Sequence, residues 1–146
     1  MTPAAPRGPV VVDTNVFGAG LTQRTEALAE RYRPHTQGRP VFISFITVAE
    51  LEYGAERARW GDQRTARLEE RIGRARIVPP TRDLIRAYAS FRAECARVGH
   101  ALGQREHEAD RWIAATALWL GLPVVAHDGV FRDAPGLTLI TELDDR

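Results

Sequence analysis

The apolar runs in this sequence are short and β-branched, and they alternate with stretches of helical spacing; no other feature limits the fold so strongly. Residues 9–13 (Pro-Val-Val-Val-Asp) are too brief and too β-branched for a helix and read as a buried strand. Residues 41–45, 76–78, 124–128 and 137–141 read the same way. Between them, Leu21, Leu28 and Tyr32, with small Thr25, place a helix over 16–33 that Pro34, Gly38 and Pro40 end. Thr47 as N-cap, with Glu50 three positions on as its capping-box partner, opens a short helix through Tyr53. The Arg- and Glu-rich residues 62–73 predict an exposed helix. Thr81 caps a long helix whose stripe is Leu84, Ile85, Tyr88, Phe91, Cys95 and Val98. Residues 110–120 are apolar nearly all round, which predicts a central helix. Strands separated by helices imply right-handed crossovers and helices on both faces of the sheet. The expected class is α/β, an α/β/α sandwich with a five-stranded, mainly parallel sheet. With 146 residues and no repeat, low-complexity tract or linker, one domain spanning 1–146 is expected.

Asp13 closes the first apolar run and Asp128 the fourth, so both stand at the carboxyl end of a strand, where open α/β sheets bind ligands. Glu50 and Asp110 lie near helix starts. Each acid has an ordinary structural reading. Asp13 can cap the following helix, Glu50 can complete a capping box, Asp110 can favour a helix N-terminus, and Asp128 can make an Asp-Gly turn with Gly129. Gathered at one crevice, carboxylates repel unless a divalent cation lies between them, which makes the set a candidate Mg²⁺ or Mn²⁺ site.

Bulk composition excludes more than it assigns. A net charge of +1 does not announce a nucleic-acid binder, and the 20 basic residues are all arginines, as GC-rich coding would produce. One cysteine, Cys95, forbids an intrachain disulfide and suits a reducing compartment. No signal-peptide core and no run long enough to span a bilayer is present, so a cytoplasmic protein without membrane contact is expected.

Four blocks, in order, carry a family resemblance: residues 11–17 (VVDTNVF), 46–54 (ITVAELEYG), 110–118 (DRWIAATAL) and 124–131 (VVAHDGVF). The chain resembles the PIN-domain ribonucleases, most closely their VapC-type toxin branch. That resemblance implies a Mg²⁺- or Mn²⁺-dependent endoribonuclease toxin of a type II toxin–antitoxin system that cleaves structured cellular RNA, tRNA or rRNA. It also implies a cognate VapB-like antitoxin and a homodimer. Asp13 and Asp110 match the main metal ligands of the family's acidic quartet, with Glu50 and Asp128 as helpers. An antitoxin segment would lie near Phe17, Leu21, Leu51 and Tyr53, which are alternatively ordinary core residues.

One departure stands at Ala126, where relatives often carry Thr or Ser two residues before the last acid. His127 is adjacent, but strand alternation can turn it away from the crevice. His107 lies near Asp110, and Trp60 among arginines could stack on a base or contact a partner. A haloacid-dehalogenase-type phosphohydrolase would want an acid at Asn15 and a lysine, and this chain has neither. The other alternative is a catalytically silent PIN-like module that binds RNA or protein.

Overall fold

The computed structural model describes residues 7–144. Its strands are β1 (Val10–Val12), β2 (Val41–Ser44), β3 (Arg76–Val78), β4 (Val124–Val125) and β5 (Leu139–Ile140). They form one sheet in the order β3-β2-β1-β4-β5, with every pairing parallel. The helices are α1 (Thr14–Gly18), α2 (Glu26–Thr36), α3 (Phe45–Arg57), α4 (Asp62–Arg74), α5 (Arg82–Val98) and α6 (Glu108–Leu120).

Side-chain alternation along the central strands builds the layers. Val11 and Val124 pack with Phe91 and Cys95 of α5 and with Ile113, Ala114 and Ala117 of α6. Val10, Val12 and Val125 face the other way, onto Phe17 of α1, Tyr32 of α2 and Leu68 and Ile72 of α4. The expected α/β/α arrangement is therefore observed, with a sheet that is wholly parallel. Alanines on α6 let that helix lie close to the sheet, and Ala114, Ala115 and Ala117 are completely buried.

The order of strands places the crevice. From β1 the chain runs outward through β2 to β3, then crosses back to place β4 on the other side of β1. Connections leave β1 and β4 toward opposite sides, and this topological switch point is where such sheets open a cleft beyond the carboxyl ends of the strands.

Several local expectations are corrected. The helix expected over 16–33 is two helices, because Gly20 adopts φ +87° and a 3-10 turn, Gln23–Thr25, intervenes. Gly18 ends α1 against α3 so closely that a Cβ there would lie 2.8 Å from Leu51 Cδ2. Pro34 does not end α2 but sits inside its last turn, where its missing N–H removes the one hydrogen bond that would go to Glu30 O. Strands β4 and β5 are two residues each, shorter than 124–128 and 137–141. In α5 the stripe is only partly core: Leu84, Phe91 and Cys95 are buried, while Ile85 and Val98 are 41% and 49% exposed. Thr81 does cap α5, its hydroxyl accepting from Leu84 N at 3.3 Å.

The start of α3 differs most consequentially. Ser44, the last residue of β2, is the cap, its Oγ accepting from Ile46 N at 3.2 Å, and the helix begins at Phe45. Thr47 is then a buried residue of the first turn, so Glu50 has no capping role. Ser44→Ala should therefore cost about 1 kcal/mol in urea denaturation, whereas Glu50→Ala should leave metal-free stability unchanged or higher. A loss from Glu50→Ala matching that from Ser44→Ala would restore the capping-box assignment.

Candidate active site

Asp13 follows β1 directly, and its backbone N–H donates to Val125 O at 3.0 Å, which ties it to β4. Its Oδ1 accepts from Val16 N at 2.9 Å, so it caps α1, as the structural reading of the sequence expected. The carboxylate is nonetheless almost fully buried, at 3% exposure. Asp128 repeats the arrangement after β4: its Oδ1 accepts from Val130 N at 2.9 Å at the start of the 3-10 turn Gly129–Phe131. In both cases capping fixes one carboxylate oxygen by a backbone amide; it does not occupy the whole group.

Asp110 lies in the first turn of α6. Its Oδ2 is 3.8 Å from His107 Nδ1, a charge contact too long for a hydrogen bond. Glu50 projects from α3, is exposed, and accepts from Thr14 Oγ1 at 2.6 Å. Thr14 Oγ1 also lies 3.1 Å from the hydroxyl of Thr47. Thr14, first residue of α1, thereby links the acid at the end of β1 to the acid on α3.

The four acids stand near enough to act on one another. Burial, followed by the charges of Asp110, Asp128 and Glu50, pushes Asp13 up to about 7, against the opposing pull of the Val16 amide. Asp110 is raised to about 6 by burial and by Asp128 and Glu50, with His107 opposing. Burial first, and the neighbouring carboxylates with it, thus raise both acids toward neutrality. Oxygen-only donors short of positive charge fit a hard divalent cation. As the side chains stand, no group of three or more His, Cys, Asp or Glu among the described residues forms a ready cage for an ion. Mg²⁺ keeps several waters and uses one or two carboxylates directly, so the set fits such an ion without a closed cage.

Other candidates resolve toward packing. His127 points to the opposite face of the sheet, as alternation allowed: its Nδ1 is 2.6 Å from the hydroxyl of buried Tyr32. Trp60 packs against the α1/α2/α4 core, and the Arg64 guanidinium lies 5.4 Å from its ring centroid. Phe17 and Leu21 are core residues, Leu51 is half-buried and Tyr53 is 67% exposed. Cys95 is buried, as its place in the α5 stripe suggested, and burial raises its thiol pKa. Arg111 was not anticipated. It is 1% exposed beside Asp110, and the sequence carries no sign of its burial, since it closes the polar opening of α6, residues 108–111 (EADR).

Comparison with known proteins agrees with this architecture. A family model described as PIN domain matches residues 10–137. A VapC ribonuclease of Sinorhizobium fredii is 31% identical over 137 residues, spanning 90% of this chain and 95% of the relative. A tRNA(fMet)-specific endonuclease VapC of Salmonella typhimurium is 30% identical over 130 residues, spanning 88% and 94%. The crystal structure of DNA-bound VapBC from Salmonella typhimurium matches with a TM-score of 0.72 at 29% identity, over 92% of this chain and 98% of that one.

The raised carboxylates have a measurable consequence in the metal-free protein. Folded Asp13 binds its proton more tightly than the unfolded chain does, so its stabilising effect is complete below about pH 4 and is lost as pH rises through about 7. The loss is on the order of 4 kcal/mol at most. Melting temperature in chelator should fall between pH 5 and pH 8, and Asp13→Asn should flatten the fall. An equally steep fall in that variant would place the linkage elsewhere.

Proposed function

The chain belongs to the PIN-domain family, and from that premise we propose that it is the endoribonuclease toxin of a type II toxin–antitoxin module, dependent on Mg²⁺ or Mn²⁺. The observation that carries the reading is the charge-starved acid crevice at the β1/β4 switch point, with Asp13 raised to about 7. The chain acts as one nuclease domain on structured RNA, with tRNA or rRNA as the substrate class. The tRNA alternative is supported by the Salmonella relative, a tRNA(fMet)-specific endonuclease.

Asp13 and Asp110 are assigned as direct ligands, with Glu50 and Asp128 helping through water or at a second ion. When bound, the cation supplies positive charge to the phosphodiester and a more acidic water as attacking group. The protein supplies orientation. Val16 N and Val130 N each fix one oxygen of Asp13 and Asp128, and Thr14 holds Glu50. The small residues of α6 let the acid at its head approach the ends of the strands. No side-chain hydroxyl exists at Ala126, so water and phosphate are positioned by the acids themselves.

Partners are assigned in the same spirit. The Salmonella structure is a VapBC complex bound to DNA, and a VapB-like antitoxin is the corresponding partner here. A cavity of about 520 Å³ between α2 and α4 has Val16 and Phe17 among its lining and Arg33, Arg39, Arg71 and Arg74 at its rim. It suits a segment carrying apolar and acidic side chains. A homodimer would cover Ile77 on the edge strand β3 and Ile85 and Val98 on α5, apolar residues left exposed in the single chain. No helix among the described residues is long and apolar enough to cross a membrane, in keeping with action in the cytoplasm.

Asp13→Asn should abolish Mn²⁺-dependent RNA cleavage and growth inhibition while the protein stays folded. Mn²⁺ should raise the melting temperature of the wild type and do so much less in the variant. Full cleavage by Asp13→Asn would sink the assignment. A wild type that neither cuts RNA nor responds to Mn²⁺ would favour the silent binding module.

A further inference from the structure

Arg111 is the bulkiest fully buried side chain among the described residues. No ion pair joins it to a carboxylate among those residues. A buried guanidinium is costly unless its donors are satisfied, and here neutral groups satisfy them. Nη1 donates to Leu102 O at 3.0 Å and also to Gln104 O, Nε donates to the Tyr88 hydroxyl at 3.1 Å, and the guanidinium lies 5.7 Å from the Tyr88 ring centroid.

Those carbonyls belong to the connection between α5 and α6, built from the 3-10 turns Ala101–Gly103 and Arg105–His107. The connection leads straight into Asp110, yet α6 has no side-chain cap: His107, at the cap position, makes no capping hydrogen bond. An uncapped helix start leaves its first amides unheld. The turn that carries Asp110 is therefore located by what grips the preceding connection. One grip is steric, since Gly103 packs so tightly on α5 that a Cβ would meet Ala96 N at 2.9 Å. A second is His100, whose Nε2 lies 2.7 Å from Arg132 O, just beyond Asp128. The third is Arg111.

The same guanidinium also reaches toward α3. Tyr88 stacks on Trp112 with ring centroids 4.0 Å apart, and Trp112 meets Phe45 edge-on at 5.1 Å. Phe45 is the first residue of the helix that bears Glu50.

We propose that Arg111 is a positioning residue: its buried charge clamps the α5–α6 connection and, through Tyr88 and Trp112, the start of α3, thereby setting Asp110 and Glu50 in the acid crevice. The proposal rests on the nuclease reading of that crevice. Arg111→Lys keeps the charge but cannot span both carbonyls and the Tyr88 hydroxyl. It should lower kcat for RNA roughly 10–100-fold with KM little changed. Carboxyl ¹³C resonances of Asp110 and Glu50 should move, and amide exchange should quicken within residues 100–110 and in the first turn of α3 but not elsewhere. Tyr88→Phe, which removes one hydroxyl, should shift the same readouts in the same direction by less, and it carries the test should Arg111→Lys fail to fold. Unmoved carboxyl resonances, or exchange that quickens evenly through the whole protein, would overturn the clamp and leave Arg111 merely a core residue. If the wild type proves unable to cut RNA, the nuclease reading fails, while the resonances and local exchange still decide whether Arg111 sets the two acids.

Discussion

Repulsion among carboxylates at the head of the central strands is the constraint on which the rest of this structure depends. An acid such as Asp13, buried beside three others, must keep a proton or acquire a cation. The protein bears that cost because the acids are secured by interactions that do not neutralise them. Backbone amides hold Asp13 and Asp128, and a hydroxyl holds Glu50. The His107 ring, 3.8 Å away, is what opposes the rise at Asp110. Anchors of this kind fix direction and leave the charge deficit intact, which keeps the crevice open to a divalent ion.

The fold class was readable because strand and helix periodicities alternate cleanly, and because the β-branched runs at Val10–Val12 and Val124–Val125 have no other good use. Strand order was not readable. That β4 inserts beside β1, and not beside β3, depends on both faces of β1 being buried by helices, which is a tertiary outcome. Local ends slipped where two signals competed. Thr47 and Glu50 match a capping box in spacing, but Ser44 stands at the end of β2 and reaches Ile46 N first. The helix then begins before Thr47, and Glu50 is left without a capping role. Likewise the stripe of α5 was a sound sign of a helix but a poor measure of burial, because Ile85 and Val98 continue it past the area that the sheet and α6 cover.

Of the acids, Asp13 and Asp128 were legible as strand ends, and Asp110 as the head of an apolar helix. Their convergence was expected because strand ends and helix starts meet at one crevice in such a sheet; the charges of Asp110, Asp128 and Glu50 acting on Asp13 accord with it. Arg111 escaped because an arginine beside acids in the first turn of a helix reads as a solvated residue. Its partners are two backbone carbonyls and a phenol, and carbonyl positions leave no trace in side-chain patterns.

The placement of β4 also bears on the order in which the molecule can be made. β1 leaves the ribosome well before β4, which completes its hydrogen bonding. A growing chain therefore carries β1 as an open edge beside β2, with Asp13 present but Asp128 not yet synthesised. Pairing so distant along the chain is slow to form. The acid crevice is thus incomplete until β4 has been made: a chain that stops short of β4 carries Asp13, Glu50 and Asp110 but lacks Asp128 and the strand that seats Asp13.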